Sequence, residues 1–187
     1  MFDSGFMKHP TERHQKLVER IRSGDRQAFE QLFQAYYSRL CVFSNSYVKS
    51  LDLSRDVVQE VYIKIWDNKE NFYIRQSLKA YLYQAVRNQS LNFLQQKKQM
   101  ERLEKRLKRQ QEISESSRTE EFNTEELSEK VWRLVEQLPE RRRTIFILYR
   151  KHGLSYLEIA EVLNIARKTV ENQMGKSLKF LRENLDL

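Results

Sequence analysis

Along most of this chain apolar residues recur every three or four positions and seldom every two, the period of helices rather than strands. From Asp25 the run DRQAFEQLFQAYYSRLCVFSNSYV spaces Phe29, Leu32, Phe33, Tyr36, Leu40 and Phe43 in this way, predicting one long amphipathic helix. Gly24 stops the segment before it, QKLVERIR. A second run, RDVVQEVYIKIW, can be capped by Asp52 or Ser54 and carries Val57, Val61 and Ile65, with Val58 beside them, as an apolar stripe. After the irregular piece DNKENFYIRQ a third run follows, SLKAYLYQAVRNQSLNFL. Further on, LSEKVWRLVEQL ends at Pro139, which can occupy the first turn of the next helix, PERRRTIFILYRKHG.

The pattern then tightens. In GLSYLEIAEVLNIARKTVENQM, Ser155 and Glu158 stand at the spacing of a capping box, so a helix starts at Tyr156 and turns Ile159, Ala160 and Leu163 inward. Asn164 suits the left-handed residue of a tight turn, and Ile165 can plug the corner. In the helix that follows, Val170, Met174, Leu178 and Leu181 are expected to face inward and Arg167, Lys168, Glu171, Asn172 and Lys176 outward. Two short helices with a polar second member make a helix-turn-helix, whose second helix enters the major groove. Arg can bond guanine edges, Asn adenine, Glu cytosine, and Lys phosphate. For any single one of these residues an ordinary solvated face explains its polarity equally well. Ala166, at the expected N-cap, has no side-chain oxygen.

Composition fits an all-α chain of 187 residues, with 40% hydrophobic residues and few helix breakers (Gly 4, Pro 2). The expected organisation is an N-terminal segment (1–20), a helical domain (21–98), a flexible charged linker (99–126), and a small helix-turn-helix domain (127–187). Residues 97–110 hold seven basic and two acidic side chains, whereas 111–129 hold seven glutamates against Arg118 alone. That segment reads as a solvated helix extension followed by a disordered linker, although an acidic strand can also occupy a basic channel or screen a DNA-binding face. The net charge of +8 favours a polyanionic partner. No apolar run is long enough to span a bilayer and the start MFDSGFMKHPTERHQ lacks a signal-peptide core, so a cytoplasmic location is expected. Cys41 reads as a buried small hydrophobe. His9 and His14 fall in the N-terminal segment and His152 in a loop; with no CxxC, HExxH or glycine-rich phosphate loop, no catalysis, metal, cofactor or small-molecule substrate is expected.

Two further segments narrow the function. Asp56, Gln59, Glu60 and Lys64 give RDVVQEVYIKIW a polar face that, alone, reads as solvated surface. In NFYIRQSLKAYLYQAVRNQSLNFLQQKK, aromatic residues (Phe72, Tyr73, Tyr81, Tyr83) mix with cationic ones (Arg75, Lys79, Arg87, Lys97, Lys98). Unstacked bases stack on rings while cations follow the backbone, the combination that single-stranded DNA requires.

Taken in order, DVVQEVYIKIW, AYLYQAVRNQSLNFLQQKK and LPERRRTIFILYRKHGLSYLEIAEVLNIARKTVEN resemble the extracytoplasmic-function group of the sigma-70 family, the specificity subunits of bacterial RNA polymerase. The resemblance covers about residues 25 to 183 and implies two helical domains, regions two and four. It implies that Asp56, Val57, Gln59, Glu60, Tyr62 and Trp66 lie on the helix that docks on core polymerase, with Gln59 and Glu60 the better interface candidates and Tyr62 and, still more, Trp66 open to a core role. Phe72, Tyr73, Arg75, Lys79, Tyr81, Arg87, Asn88, Asn92, Lys97 and Lys98 would meet and open the promoter's -10 element, the loop at about 68–77 holding a flipped base. Tyr81 stands where many relatives have Trp, and Tyr83 and Phe93 belong to the core. Arg167, Lys168, Thr169, Glu171, Asn172 and Lys176 would read the -35 element. Relatives usually carry Gly at Asn164 and Ser or Thr at Ala166. The family implies core polymerase and promoter DNA as partners, with an anti-sigma factor in many members. The competing reading is a stand-alone helix-turn-helix regulator whose first domain dimerises or senses a ligand; it leaves the polar face and the aromatic-cationic segment without a use.

Overall fold

The computed structural model describes residues 10–74, 77–107 and 126–185. They form α-helices and one 3-10 turn, with no strand among the described residues. The chain divides into two compact units, Met1–Gln110 and Gln111–Leu187. Among the described residues no helix is long and apolar enough to cross a membrane. Arg75, His9 and most of the acidic segment lie outside the described residues.

In the first unit, α1 (Pro10–Arg22) leads into α2 (Arg26–Val48), α3 (Leu51–Asp67) and α4 (Leu78–Leu107). The last three pack on one another and α1 lies along α2. Helix α1 starts inside the stretch expected to stand apart as an N-terminal segment. It buries Val18 and Ile21 against the unit, and His14 sits half-buried in it. Gly24 adopts φ +86°, a left-handed turn that costs glycine nothing, and Asp25 caps α2 by accepting from the Gln27 and Ala28 N–H groups. Arg20 pairs with Asp25 at 2.7 Å, so the corner is tied from both sides.

Helix α2 buries Leu32, Leu40 and Phe43 as the spacing requires, while Phe29, Phe33 and Tyr36 are half-covered at its edge. Cys41 is buried, and that burial pushes its thiol pKa up, in keeping with a packing role. Helix α3 begins earlier than its sequence suggests. Ser50, not Asp52 or Ser54, is the N-cap, accepting from the Leu53 N–H; Asp52 pairs with Arg55 and Ser54 is buried, donating to the Ser50 carbonyl. The left-handed Lys49 (φ 56°) closes α2 just before it, leaving Ser50 as the first extended residue able to cap. Helix α4 runs on to Leu107, so the start of the expected linker is a helical extension.

The second unit consists of α5 (Glu126–Gln137), α6 (Glu140–Arg150), α7 (Tyr156–Leu163) and α8 (Arg167–Asn184). Pro139 is the N-cap residue of α6, its carbonyl accepting from Arg142 and Arg143. The capping box at α7 is complete: Ser155 Oγ accepts from the Glu158 N–H, and Glu158 Oε2 from the Ser155 N–H at 2.8 Å. Asn164 takes the left-handed conformation (φ 52°) that the turn requires. Two core positions differ from the spacing argument. Contacting both α6 and α8, the eight-residue α7 buries Val162 with Ile159 and Ala160 and leaves Leu163 half-covered. On α8 the inner stripe is Val170, Met174, Ser177 and Leu181, and Leu178 is 48% exposed. At about 100° per residue those four span roughly 60°, and Leu178 falls roughly 70° from their centre.

Candidate functional site

Helix α3 has two faces. Val57, Val58, Val61, Tyr62 and Ile65 are buried, whereas Asp56, Gln59 and Glu60 are exposed. Helical geometry puts those three, with Ile63, within a stripe roughly 100° wide that looks away from the core. Ile63 is 58% exposed, an apolar side chain in the middle of a polar stripe that sequence reasoning did not single out. Its signal was available, since it stands one turn beyond both Gln59 and Glu60.

Val57 and Tyr62, expected among the docking residues, are core residues instead. Tyr62 is 3% exposed, and its ring meets Phe29 (5.8 Å between centroids) and Phe33 (5.0 Å) of α2. Burial pushes its phenol pKa far up, so the hydroxyl stays neutral, donating weakly to the Leu32 carbonyl at 3.4 Å. Trp66 is half-buried, packed against Phe29 (4.9 Å) with the Lys69 ammonium over its ring at 5.0 Å. These rings hold α3 on α2, each pair adding about 0.5–1.5 kcal/mol beyond area burial. Both assignments rest on the resemblance alone: Val57 lies on the apolar stripe its spacing predicts, and Tyr62, one turn beyond Val58, widens the same buried side.

Glu60 does not stand alone on the exposed stripe. Lys64 Nζ lies 2.7 Å from Glu60 Oε1 and donates to Gln89 Oε1 at 2.8 Å, while Gln89 Nε2 donates to Glu60 Oε2 at 2.6 Å. This closed triangle ties α3 to α4. Gln89 sits between Asn88 and Ser90, beside the stripe that follows.

On α4, Tyr81, Asn88 and Asn92 recur at seven and four residues, falling within roughly 40° of one another. All three are exposed, with Tyr81 at 37%. Tyr81 is held by Phe72, whose ring meets it edge-on at 5.3 Å, and partial burial raises its phenol pKa. Phe72 itself is buried: the loop before α4 lodges it as an apolar anchor, and its ring offers no exposed face for stacking. Tyr83, as expected, is buried, with its phenol pKa pushed up to about 12 by desolvation; Phe93 is half-buried. Tyr73, next to Phe72, points out and is 60% exposed. Arg87 is half-buried and Lys98 exposed on one flank of the stripe, whereas half-buried Lys79 and exposed Lys97 fall roughly 160° from it, on the opposite side of α4.

In the second unit the outward set on α8 is as expected for Arg167, Lys168, Asn172 and Lys176, all exposed. Thr169 and Glu171 are half-covered. The Glu171 carboxylate receives Arg167 Nε at 3.0 Å and Lys168 Nζ at 3.5 Å, so two cations share one anion on the first turn. Ala166 is the N-cap and makes no side-chain capping bond. Arg142 of α6 donates to Gln173 at 3.3 Å and braces α8 from the inside. Among the described residues no cluster of His, Cys, Asp and Glu could hold a metal ion.

Comparison with known proteins places both units. Residues 32–99 match the family described as Sigma-70 region 2, and residues 128–181 match Sigma-70, region 4. The chain is 31% identical over 180 residues to an ECF RNA polymerase sigma-E factor of Escherichia coli K12, covering 92% of each. It is 27% identical over 179 residues to the protein of that description from Haemophilus influenzae, covering 91% of this chain and 94% of that one. Its fold resembles the sigma factor RpoE solved with the anti-sigma factor NepR from Bartonella quintana, with a TM-score of 0.57 at 23% identity, over 85% of this chain and 97% of that one.

Proposed function

This chain belongs to the extracytoplasmic-function group of the sigma-70 family, and from that premise we propose how its two units divide the work of a sigma factor. A sigma factor directs core polymerase to promoters as a regulatory subunit, so the work is recognition and catalysis belongs to the core enzyme. We assign core docking to the exposed stripe of α3, namely Asp56, Gln59, Glu60 and Ile63, with Trp66 and Tyr62 supporting it from behind. The -10 element falls to Tyr73 and to the Tyr81–Asn88–Asn92 stripe. Arg87 and Lys98, on one flank, supply the nearer positive charge, and Lys79 and Lys97 add to the field of the domain from the far side of α4. Arg75 belongs to the same loop in this reading. Phe72 acts indirectly, by fixing Tyr81.

The observation that carries this reading is the α3–α4 pair. Two exposed stripes, one polar with an apolar centre and one aromatic with amides, occupy neighbouring helices and are joined by the Glu60–Lys64–Gln89 triangle. A dimerisation or ligand-sensing domain needs neither. On α8, Lys168, Asn172 and Lys176 face a -35 duplex. Arg167 and Glu171 then stand at the helix N-terminus, where base edges are read. Because Glu171 already holds Arg167 and Lys168, base contact by either cation requires exchanging that ion pair. Such exposed pairs are worth little, about 0–1 kcal/mol, so the exchange is not a barrier. The work takes place in the cytoplasm, where polymerase and promoter are.

Run-off transcription tests this directly. Core polymerase with this chain should yield specific transcripts from genomic fragments that core alone does not. Duplex binding without any specific transcript would favour a stand-alone regulator.

A further inference from the structure

We propose that Arg22, the last residue of α1, is a positioning residue for single-strand capture: it covers one face of the Tyr73 ring and leaves the other face to stack one unpaired base. This rests on the reading of the loop before α4 as a -10 contact. The Arg22 guanidinium carbon lies 3.8 Å above the centroid of the Tyr73 ring, and Arg22 Nη2 donates to the Tyr73 hydroxyl. Arg22 Nε also reaches the Glu70 carbonyl at 3.3 Å, in the 3-10 turn Lys69–Asn71 that begins the loop. One side chain thus holds three points on a segment about fifty residues away in sequence.

The holder is itself fixed. Ile21 and Val18 bury the end of α1, Gly24 turns the chain, and Asp25 ties the corner through Arg20 and the capped N-terminus of α2. On the loop side, buried Phe72 anchors the backbone next to Tyr73. Between two fixed points Tyr73 still exposes 60% of its surface. A ring ordered before the strand arrives loses less conformational freedom on binding. A guanidinium against its covered face adds cation–π attraction and leaves a positive charge close to the phosphate of a stacked nucleotide. Covering one face also limits this ring to a single base.

The test uses the full chain bound to core polymerase and a short fluorescent single strand. Its sequence is that of the non-template -10 region of a promoter mapped by run-off transcription. Tyr73→Ala should weaken strand binding about tenfold, the scale of base–aromatic stacking. Arg22→Ala should weaken it about threefold, and Arg22→Ala added to Tyr73→Ala should cost nothing further. Arg22→Lys, which keeps charge without the planar fork, should recover only part of the loss. Core affinity and binding of a -35 duplex should not change. Strand binding that depends on Tyr73 but not on Arg22 would overturn this inference while leaving the reading of the loop intact. An undiminished Arg22 effect without the Tyr73 ring would also overturn it, since the cation would then act on phosphate alone, and so would a parallel loss of core affinity. Indifference to Tyr73→Ala would remove the reading of the loop and this inference together.

Discussion

Ala166→Ser is expected to stabilise the second unit by about 1 kcal/mol, the ordinary value of a serine N-cap over alanine. The structure makes that the upper value. Ala166 already has the extended backbone of a cap (φ -64°, ψ 140°), close to that of Ser155 (φ -69°, ψ 161°), whose hydroxyl accepts from the amide three residues on. A serine hydroxyl at 166 would be aimed at the Thr169 N–H, which now donates to the Ala166 carbonyl at 2.9 Å, so the new bond replaces part of an existing one. The assay is urea unfolding followed by Trp132, half-buried on α5 with its ring edge-on to Phe146 at 6.4 Å. Each unit contains one of the chain's two tryptophans, so a Trp66→Phe background makes Trp132 the sole reporter. With a denaturant slope near 1 kcal/mol per M for so small a unit, the midpoint should rise, by at most about 1 M. Ser155→Ala in the same background should lower it by a similar amount, because the capping box loses one of its two bonds. An unchanged midpoint for Ala166→Ser, with the expected loss for Ser155→Ala, would show that the first turn of α8 does not depend on residue 166 as its cap.

Other expectations follow from the same geometry. Gln59→Ala with Ile63→Ala should weaken core polymerase binding at least tenfold in a pull-down with unchanged circular dichroism, because an apolar centre within a polar rim carries most of the energy of such a contact. Tyr62→Ala should instead lower the first unit's stability by about 3–5 kcal/mol, read as a fallen unfolding midpoint. Arg167→Ala should reduce discrimination at the -35 element, measured by competition between promoter and mismatched duplexes, while core affinity stays constant. Asp25 has a carboxyl held below its usual range, first by the Ala28 N–H and then by Arg20. Its contribution to the α1–α2 corner is therefore complete above the ordinary carboxylate pKa and lost as pH falls through the lowered value. Amide exchange at Gln27 and Ala28 should accelerate over that acidic interval and not above it; Asp25→Asn should remove most of the pH dependence.

Features set by neighbours in the chain were legible from sequence alone. The Ser155–Glu158 box, the left-handed Asn164, the bare cap at Ala166 and the stop at Gly24 all depend on contacts within a few residues, and each appears where expected. The start of α3 was not, because Ser50, Asp52 and Ser54 are all competent caps and the choice falls to Lys49 closing the previous helix. Tyr62 shows a different limit: a family resemblance marks a position as belonging to a functional helix without saying which side of it faces out. The triangle of Glu60, Lys64 and Gln89 and the clamp of Arg22 on Tyr73 join residues 25 to 51 apart, and no local pattern announces them.

Ser44 of α2 and Ser90 of α4 meet at 3.0 Å in the buried heart of the first unit. Ser90 donates its only hydroxyl proton to the Val86 carbonyl, so Ser44 must be the donor in the pair. Apolar helices can slide past each other at modest cost, but this contact works as a detent. A one-turn shift of α4 along α2 would strand Ser44 in an apolar setting, at about 1–3 kcal/mol. Asn88 and Asn92 flank Ser90 on that helix. If the -10 strand engages those amides as proposed, α4, latched to α2, meets it as a fixed beam.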